Sequence, residues 1–117
     1  SCGCVKSYGE YQIARILTDK NILFEREYSF KNLVNSNNHE IYFDFAIKDI
    51  NNNIKCLIEY QGEQHYANKD IYFGKMQREE TDNLKKEYCL THNITLYEIK
   101  YNESIDDKLN EILLNVA

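Results

Sequence analysis

The sequence contains no proline, no internal repeat and only four glycines in 117 residues. No apolar run approaches the about eighteen residues that a membrane span needs, so a membrane protein is not signalled. No charged segment leads into an apolar stretch near the start, which leaves secretion equally unsignalled. A disulfide framework is also missing. Of the four cysteines, two stand together in Cys2-Gly3-Cys4, while Cys56 and Cys89 lie inside apolar segments, a usage that suits a reducing compartment. Basic residues are scarce, with 14 Lys and Arg against 19 Asp and Glu and a net charge of −5. That balance argues against a stand-alone DNA binder, whose surface is normally basic. It argues less against a domain whose clustered carboxylates bind divalent cations.

What is present is a good core. Hydrophobic residues make up 43% of the chain, with ten Tyr and five Phe, and 28% of residues are charged. This length suits one compact domain. Ser7 and Glu10 form an S-x-x-E capping box ahead of Ile13, Ile16 and Leu17, which predicts a first helix over about residues 8–20. Strands are expected at 22–30, 41–47 and 54–60, the last two joined by an Asn-rich turn into a hairpin. A helix follows over 77–92, then a strand over 94–99. A last amphipathic helix starts after Ser104, its N-cap, with Asp106 and Asp107 in the first turn. The order αβββαβα predicts an α/β fold, a mixed sheet of about four strands flanked by helices. The Asn runs at 35–38 and 51–53 are too short for linkers and read as turns.

Two features interrupt this pattern. Asp44 breaks the apolar run Ile41 to Ile47, where an ionised carboxylate is costly without a partner, although simple alternation would turn it to solvent. Further on, the apolar strand ending at Ile58 runs into Glu59-Tyr60-Gln61-Gly62-Glu63-Gln64-His65. On a strand Glu59 and Gln61 share a face, and Asp44 lies across the hairpin from Glu59. Two carboxylates with nearby carbonyl oxygens suit Mg²⁺ or Mn²⁺. His65 stands a few residues beyond as a proton acceptor for water, or as an ordinary hydrogen-bonded loop histidine. Glu10 is explained by its capping box, a role compatible with a place in the site, and Asp82 alone reads as a surface acid.

Taken in order, Ser7-x-Gly9-Glu10, Phe43-Asp44-Phe45, Ile58-Glu59-Tyr60-Gln61-Gly62-x-Gln64-His65-Tyr66 and Asp82-x-x-Lys85-x-x-Tyr88-Cys89 resemble the EDxHD homing endonucleases. These are phage intron-associated enzymes related to the very-short-patch-repair nucleases, within the PD-(D/E)XK superfamily. The resemblance runs from about Ser7 to Tyr101. It implies a restriction-endonuclease-like core over residues 7–117 and a Mg²⁺- or Mn²⁺-dependent endonuclease that hydrolyses duplex DNA. Glu10, Asp44, His65 and Asp82 would be its catalytic set, Asp44 the principal metal ligand, Glu59 a second ligand and His65 the general base. The chain departs from the superfamily signature at Gln61, which stands where a lysine is expected and cannot accept a proton. The base role therefore moves to His65, and Lys85 becomes a source of positive charge near the phosphate.

Residues 1–6 are expected to be the remnant of an upstream segment, in some relatives a zinc-binding ribbon; two cysteines make at most half of a zinc site. With so few basic residues, affinity and target choice are expected to come from an upstream or separate DNA-binding module. Cutting both strands would need a homodimer or sequential nicking. The expected location is intracellular, the cytoplasm of a bacterial or phage-infected cell. Two rival readings stay open: a mismatch- or structure-specific repair nuclease of the same fold, and a non-catalytic binding module in which Asp44 and Glu59 face solvent independently.

Overall fold

The computed structural model describes residues 8–61 and 72–116, with side chains described from Glu79 onward in the second stretch. The elements follow the predicted order: α1 (Tyr8–Asp19), β1 (Leu23–Val34), β2 (Glu40–Lys48), β3 (Ile54–Gln61), α2 (Tyr72–Thr91), β4 (Leu96–Lys100) and α3 (Ile105–Val116). The four strands form one mixed sheet in the order β1-β2-β3-β4. β1, β2 and β3 pair antiparallel as successive hairpins, and β4 joins β3 in parallel. A parallel neighbour needs a long crossover, and the segment carrying α2 supplies it.

The chain has little glycine for its turns, and asparagine stands in. Asn21, Asn38, Asn52 and Asn93 all adopt positive φ, which this residue tolerates best after glycine. Both α1 and α2 end on such an Asn. In α1 the Ile22 N–H donates to Leu17 O and the Asn21 N–H to Thr18 O; Ile94 and Asn93 repeat the pattern on Cys89 and Leu90. These are Schellman caps, which satisfy the last carbonyls of each helix. The two hairpin turns are alike as well. Asn35 Oδ1 accepts the N–H groups of Asn37 and His39, and Asp49 Oδ1 accepts those of Asn51 and Asn53. Ser104 caps α3 as expected, its Oγ accepting the Asp107 N–H at 3.3 Å.

Two apolar layers cover the sheet. On one face Ile13 and Leu17 of α1 and Leu109 and Ile112 of α3 pack on Phe45, Ile47, Cys56, Ile58 and Ile99. On the other, Leu84, Tyr88 and Cys89 of α2 pack with Leu33, Ile41, Phe43, Ala46 and Leu57. Cys56 and Cys89 are free thiols, one in each layer. Among the described residues no helix is long and apolar enough to cross a membrane.

Three boundaries differ from expectation. β1 runs on to Val34 rather than stopping at residue 30, because Val34 pairs with Glu40 across the hairpin. α2 begins at Tyr72, five residues before the predicted start, and β4 begins at Leu96 because Asn93 and Ile94 close the preceding helix. The capping box at Ser7 lies outside the described residues.

Candidate active site

The site begins with a break in strand regularity. Residues two apart on a strand normally share a face. Yet Phe45 packs in the α1–α3 layer and Phe43 in the α2 layer, so the side-chain alternation reverses between them, at Asp44. β1 reverses at the same level. Arg26 and Tyr28 pair with Phe45 and Phe43, and Glu27 between them has φ of 50°. For glutamate this is a strained conformation, costing on the order of 1 kcal/mol.

At this level the sheet also forks. The β2–β3 ladder ends at Phe45–Ile58, while β2 stays paired with β1 through Phe43 and β3 stays paired with β4 through Gln61. The backbone N–H groups released by the fork are taken by carboxylates. The Tyr60 N–H donates to Asp44 Oδ2 at 2.8 Å, and the Asp44 N–H donates to Glu59 Oε2 at 3.1 Å. Each acid thus caps the other's strand, and both are drawn into the cleft.

From α2, Lys85 reaches Glu59 Oε1 at 2.9 Å, with side chains only 10% and 13% exposed. The Lys85 ammonium also lies 5.2 Å from the centroid of Phe43. Burial first, and the charge of Asp44 second, push the Glu59 carboxyl up to about 7, against the opposing pull of Lys85. Burial and the charge of Glu59 likewise raise the Cys89 thiol, which stays protonated at neutral pH. Next to Glu59 on β4 stands Glu98, its parallel partner, which lines an open cavity of about 400 Å³ with Lys86 and Cys89. Glu27, Asp44, Glu59 and Glu98 therefore mark one acidic level across all four strands. Within this level the charge of Asp44 acts on Glu59 across the fork.

The other expected residues sit around the fork. Gln61 ends β3, half-buried, two positions beyond Glu59 on the same face of the strand. Asp82 is half-buried on α2, one turn before Lys85. Glu10 lies on the opposite face of the sheet from Glu59. Its Oε1 accepts from Arg26 Nη2 at 3.5 Å, and its charge, after burial, raises the Tyr60 hydroxyl. α1 approaches closely here because residue 9 is glycine: a Cβ there would fall 2.2 Å from Tyr60 Cζ. His65, with Gly62, Glu63 and Gln64, lies outside the described residues, as does Cys2-Gly3-Cys4.

Sequence reasoning missed Arg26 and Glu98. Glu98 was visible as an acid in the apolar strand Leu96-Tyr97-Glu98-Ile99, the same kind of interruption that singled out Asp44. Arg26 sits in the run Glu25-Arg26-Glu27, which reads as a solvated stretch.

Among the described residues no group of three or more His, Cys, Asp or Glu is arranged to hold a metal ion. Two carboxylates are nevertheless a fitting donor set for Mg²⁺, which keeps several waters and takes one or two protein carboxylates together with substrate phosphate. The repulsion from Asp44, which after burial raises Glu59, is what such an ion would relieve. No protein-family model, curated protein or solved structure matches this chain.

Proposed function

We propose that this chain is the catalytic domain of a divalent-metal-dependent endonuclease acting on duplex DNA, of the homing type. The observation that carries the reading is the forked sheet, which draws Asp44 and Glu59 into one cleft and meets them with Lys85. Asp44 and Glu59 would hold Mg²⁺ or Mn²⁺. When bound, the ion supplies positive charge against the charge that develops on a phosphate under attack. Lys85 gives the site a fixed cation at the position relative to Glu59 that Gln61 cannot fill, because it comes from the helix rather than from β3. His65 is the proposed base, on the sequence resemblance, since Gln61 carries no basic nitrogen. Glu10 and Asp82 complete the proposed catalytic set on the same ground.

The strain at Glu27 supports the reading, because backbone strain of this kind is kept where the surrounding fold enforces it and gathers at working sites. A sheet kept only for packing has no need to split between its two central strands and line the split with acids.

One observation favours a non-catalytic binding module instead. Asp44 and Glu59 each accept a backbone N–H that the fork would otherwise leave unpaired, which is a structural task in itself. The two readings part on metal. The test is nicking of supercoiled plasmid in Mg²⁺ or Mn²⁺, with Asp44→Ala and His65→Ala beside the unaltered chain, and Mn²⁺ titration by calorimetry in parallel. Metal-dependent nicking lost in both variants is the expected result. Nicking that survives Asp44→Ala would sink the proposed site. A chain that neither nicks nor binds Mn²⁺ leaves the binding-module reading standing.

A further inference from the structure

The fork is flanked by two ion pairs, one on each face of the sheet, and they are built differently. Lys85 and Glu59 meet at 2.9 Å and are nearly enclosed. Arg26 and Glu10 meet through one nitrogen and one oxygen at 3.5 Å, and the arginine side chain is 36% exposed. A guanidinium carries five N–H donors in a flat fork. Among the described residues its one hydrogen-bond partner is Glu10, at the long end of bonding distance. The guanidinium is nevertheless not adrift, for it lies 5.3 Å from the centroid of the buried Phe45 ring. Arg26 pairs with Phe45, the residue next to Asp44, so it stands one level from the acids. The turn of strand at Glu27 is what sends Arg26 to the α1 side while Tyr28 goes to the α2 side.

We propose that Arg26 is a substrate contact of this site, binding a DNA backbone phosphate that flanks the point of cleavage. The proposal rests on the endonuclease reading and adds to it the residue that receives the strand. A flat, partly exposed guanidinium with donors to spare matches two oxygens of a phosphate, which an ammonium grips only as a point charge. Glu10 holds Arg26 in place until the polyanion arrives. A surface ion pair serving only to tie α1 to β1 would be worth little to stability and nothing to DNA affinity.

The test is the salt dependence of DNA binding by the full chain, read by fluorescence anisotropy with a random-sequence duplex. Each phosphate contact removed lowers the slope of log K against log salt by about 1. Arg26→Gln is expected to lose that increment, and to raise KM for plasmid nicking with little change in kcat. Arg26→Lys keeps the charge and therefore the slope, but binds several-fold more weakly because the fork is gone. Lys55→Gln is the control, removing one exposed charge at the far end of β3. An unchanged slope in Arg26→Gln, in a chain that binds and nicks, overturns this proposal alone. An equal loss of slope in Lys55→Gln overturns it too, since net charge would then explain the effect. An unaltered chain that neither binds nor nicks DNA and takes up no Mn²⁺ overturns the endonuclease reading and this proposal with it.

Discussion

The β2–β3 pair has carboxylates accepting backbone N–H groups at both of its ends, and the two ends behave oppositely. At the hairpin, Asp49 accepts from Asn51 and Asn53 at 2.8 and 2.9 Å. At the fork, Asp44 and Glu59 accept from Tyr60 and Asp44 at similar distances. The Asp49 carboxyl is held below its usual range, first by the bond from the Asn53 backbone, in open water. The Glu59 carboxyl is pushed up to about 7, although it accepts the same kind of bond. Desolvation and a neighbouring like charge outweigh the hydrogen bonds at the fork, whereas at the turn the hydrogen bonds outweigh desolvation. One end is a fold device. The other stores unfavourable charge that a cation would release.

The largest expected contrast is in activity. Asp44→Asn and Asp49→Asn make the same change at the two ends, and each keeps an oxygen to accept backbone N–H groups. Asp44→Asn is expected to lower metal-dependent nicking by about a thousandfold or more, as loss of a group central to catalysis does. Asp49→Asn is expected to leave nicking unchanged. Plasmid nicking rates for the two variants side by side decide it, and equal rates would erase the functional difference between the ends.

The next contrast is in stability. Lys85→Met keeps the apolar stem against Phe43 and removes the ammonium that Glu59 faces. Breaking a largely buried pair from one side costs up to about 3 kcal/mol as the stranded carboxylate ionises. Without Lys85 that happens above about pH 7, so the loss grows towards pH 8 and beyond. The loss should be smaller at pH 5.5, because Glu59 then takes up a proton. Urea unfolding at the two pH values measures this, and the double variant Glu59→Gln, Lys85→Met should recover much of the loss. Removing an exposed lysine such as Lys55 by the same substitution should move the midpoint little.

These contrasts mark where the sequence was readable. Element order, both Asn-rich turns and the Ser104 cap were legible because each rests on local chemistry. The α1 stripe of Ile13 and Leu17 was legible from periodicity for the same reason. The closeness of Asp44 and Glu59 was legible too, from counting across the hairpin. The fork itself was not. Strict alternation would put Phe43 and Phe45 on one face and Asp44 on the other; the reversal at Asp44 depends on β1, whose Glu27 turns in step. That is a tertiary fact with no local signature. Arg26 was hidden for the same reason, since its side of the sheet is fixed by the reversal beside it.

A third contrast lies in pH. The Glu59 carboxyl rises from 4.5 to about 7 on folding, so the folded chain binds this proton more tightly than the unfolded one. Its contribution to stability is complete below about pH 4.5 and is lost as pH climbs through 7. The expected loss is up to about 3 kcal/mol, at 1.36 kcal/mol per unit. Urea midpoints from pH 5 to 8 should fall in the unaltered chain and stay flatter in Glu59→Gln. Added Mn²⁺ should restore stability at pH 8 in the unaltered chain alone, if the acids at the fork hold the ion.

The smallest effect is the sharpest check on the cause. Asp49 has a lowered carboxyl, so its contribution is present above the unfolded value of 3.8 and disappears as pH falls through the folded value. Its pH dependence therefore has the opposite sign to that of Glu59 and occupies a separate, more acidic window. Asp49→Asn should reduce stability slightly at pH 7, and the difference from the unaltered chain should close in acid. Chemical denaturation of both proteins at pH 7 and near pH 2.5 tests this. A gap that persists in acid would mean that Asp49 acts through turn geometry, and the opposition between the two ends would then no longer be one of charge.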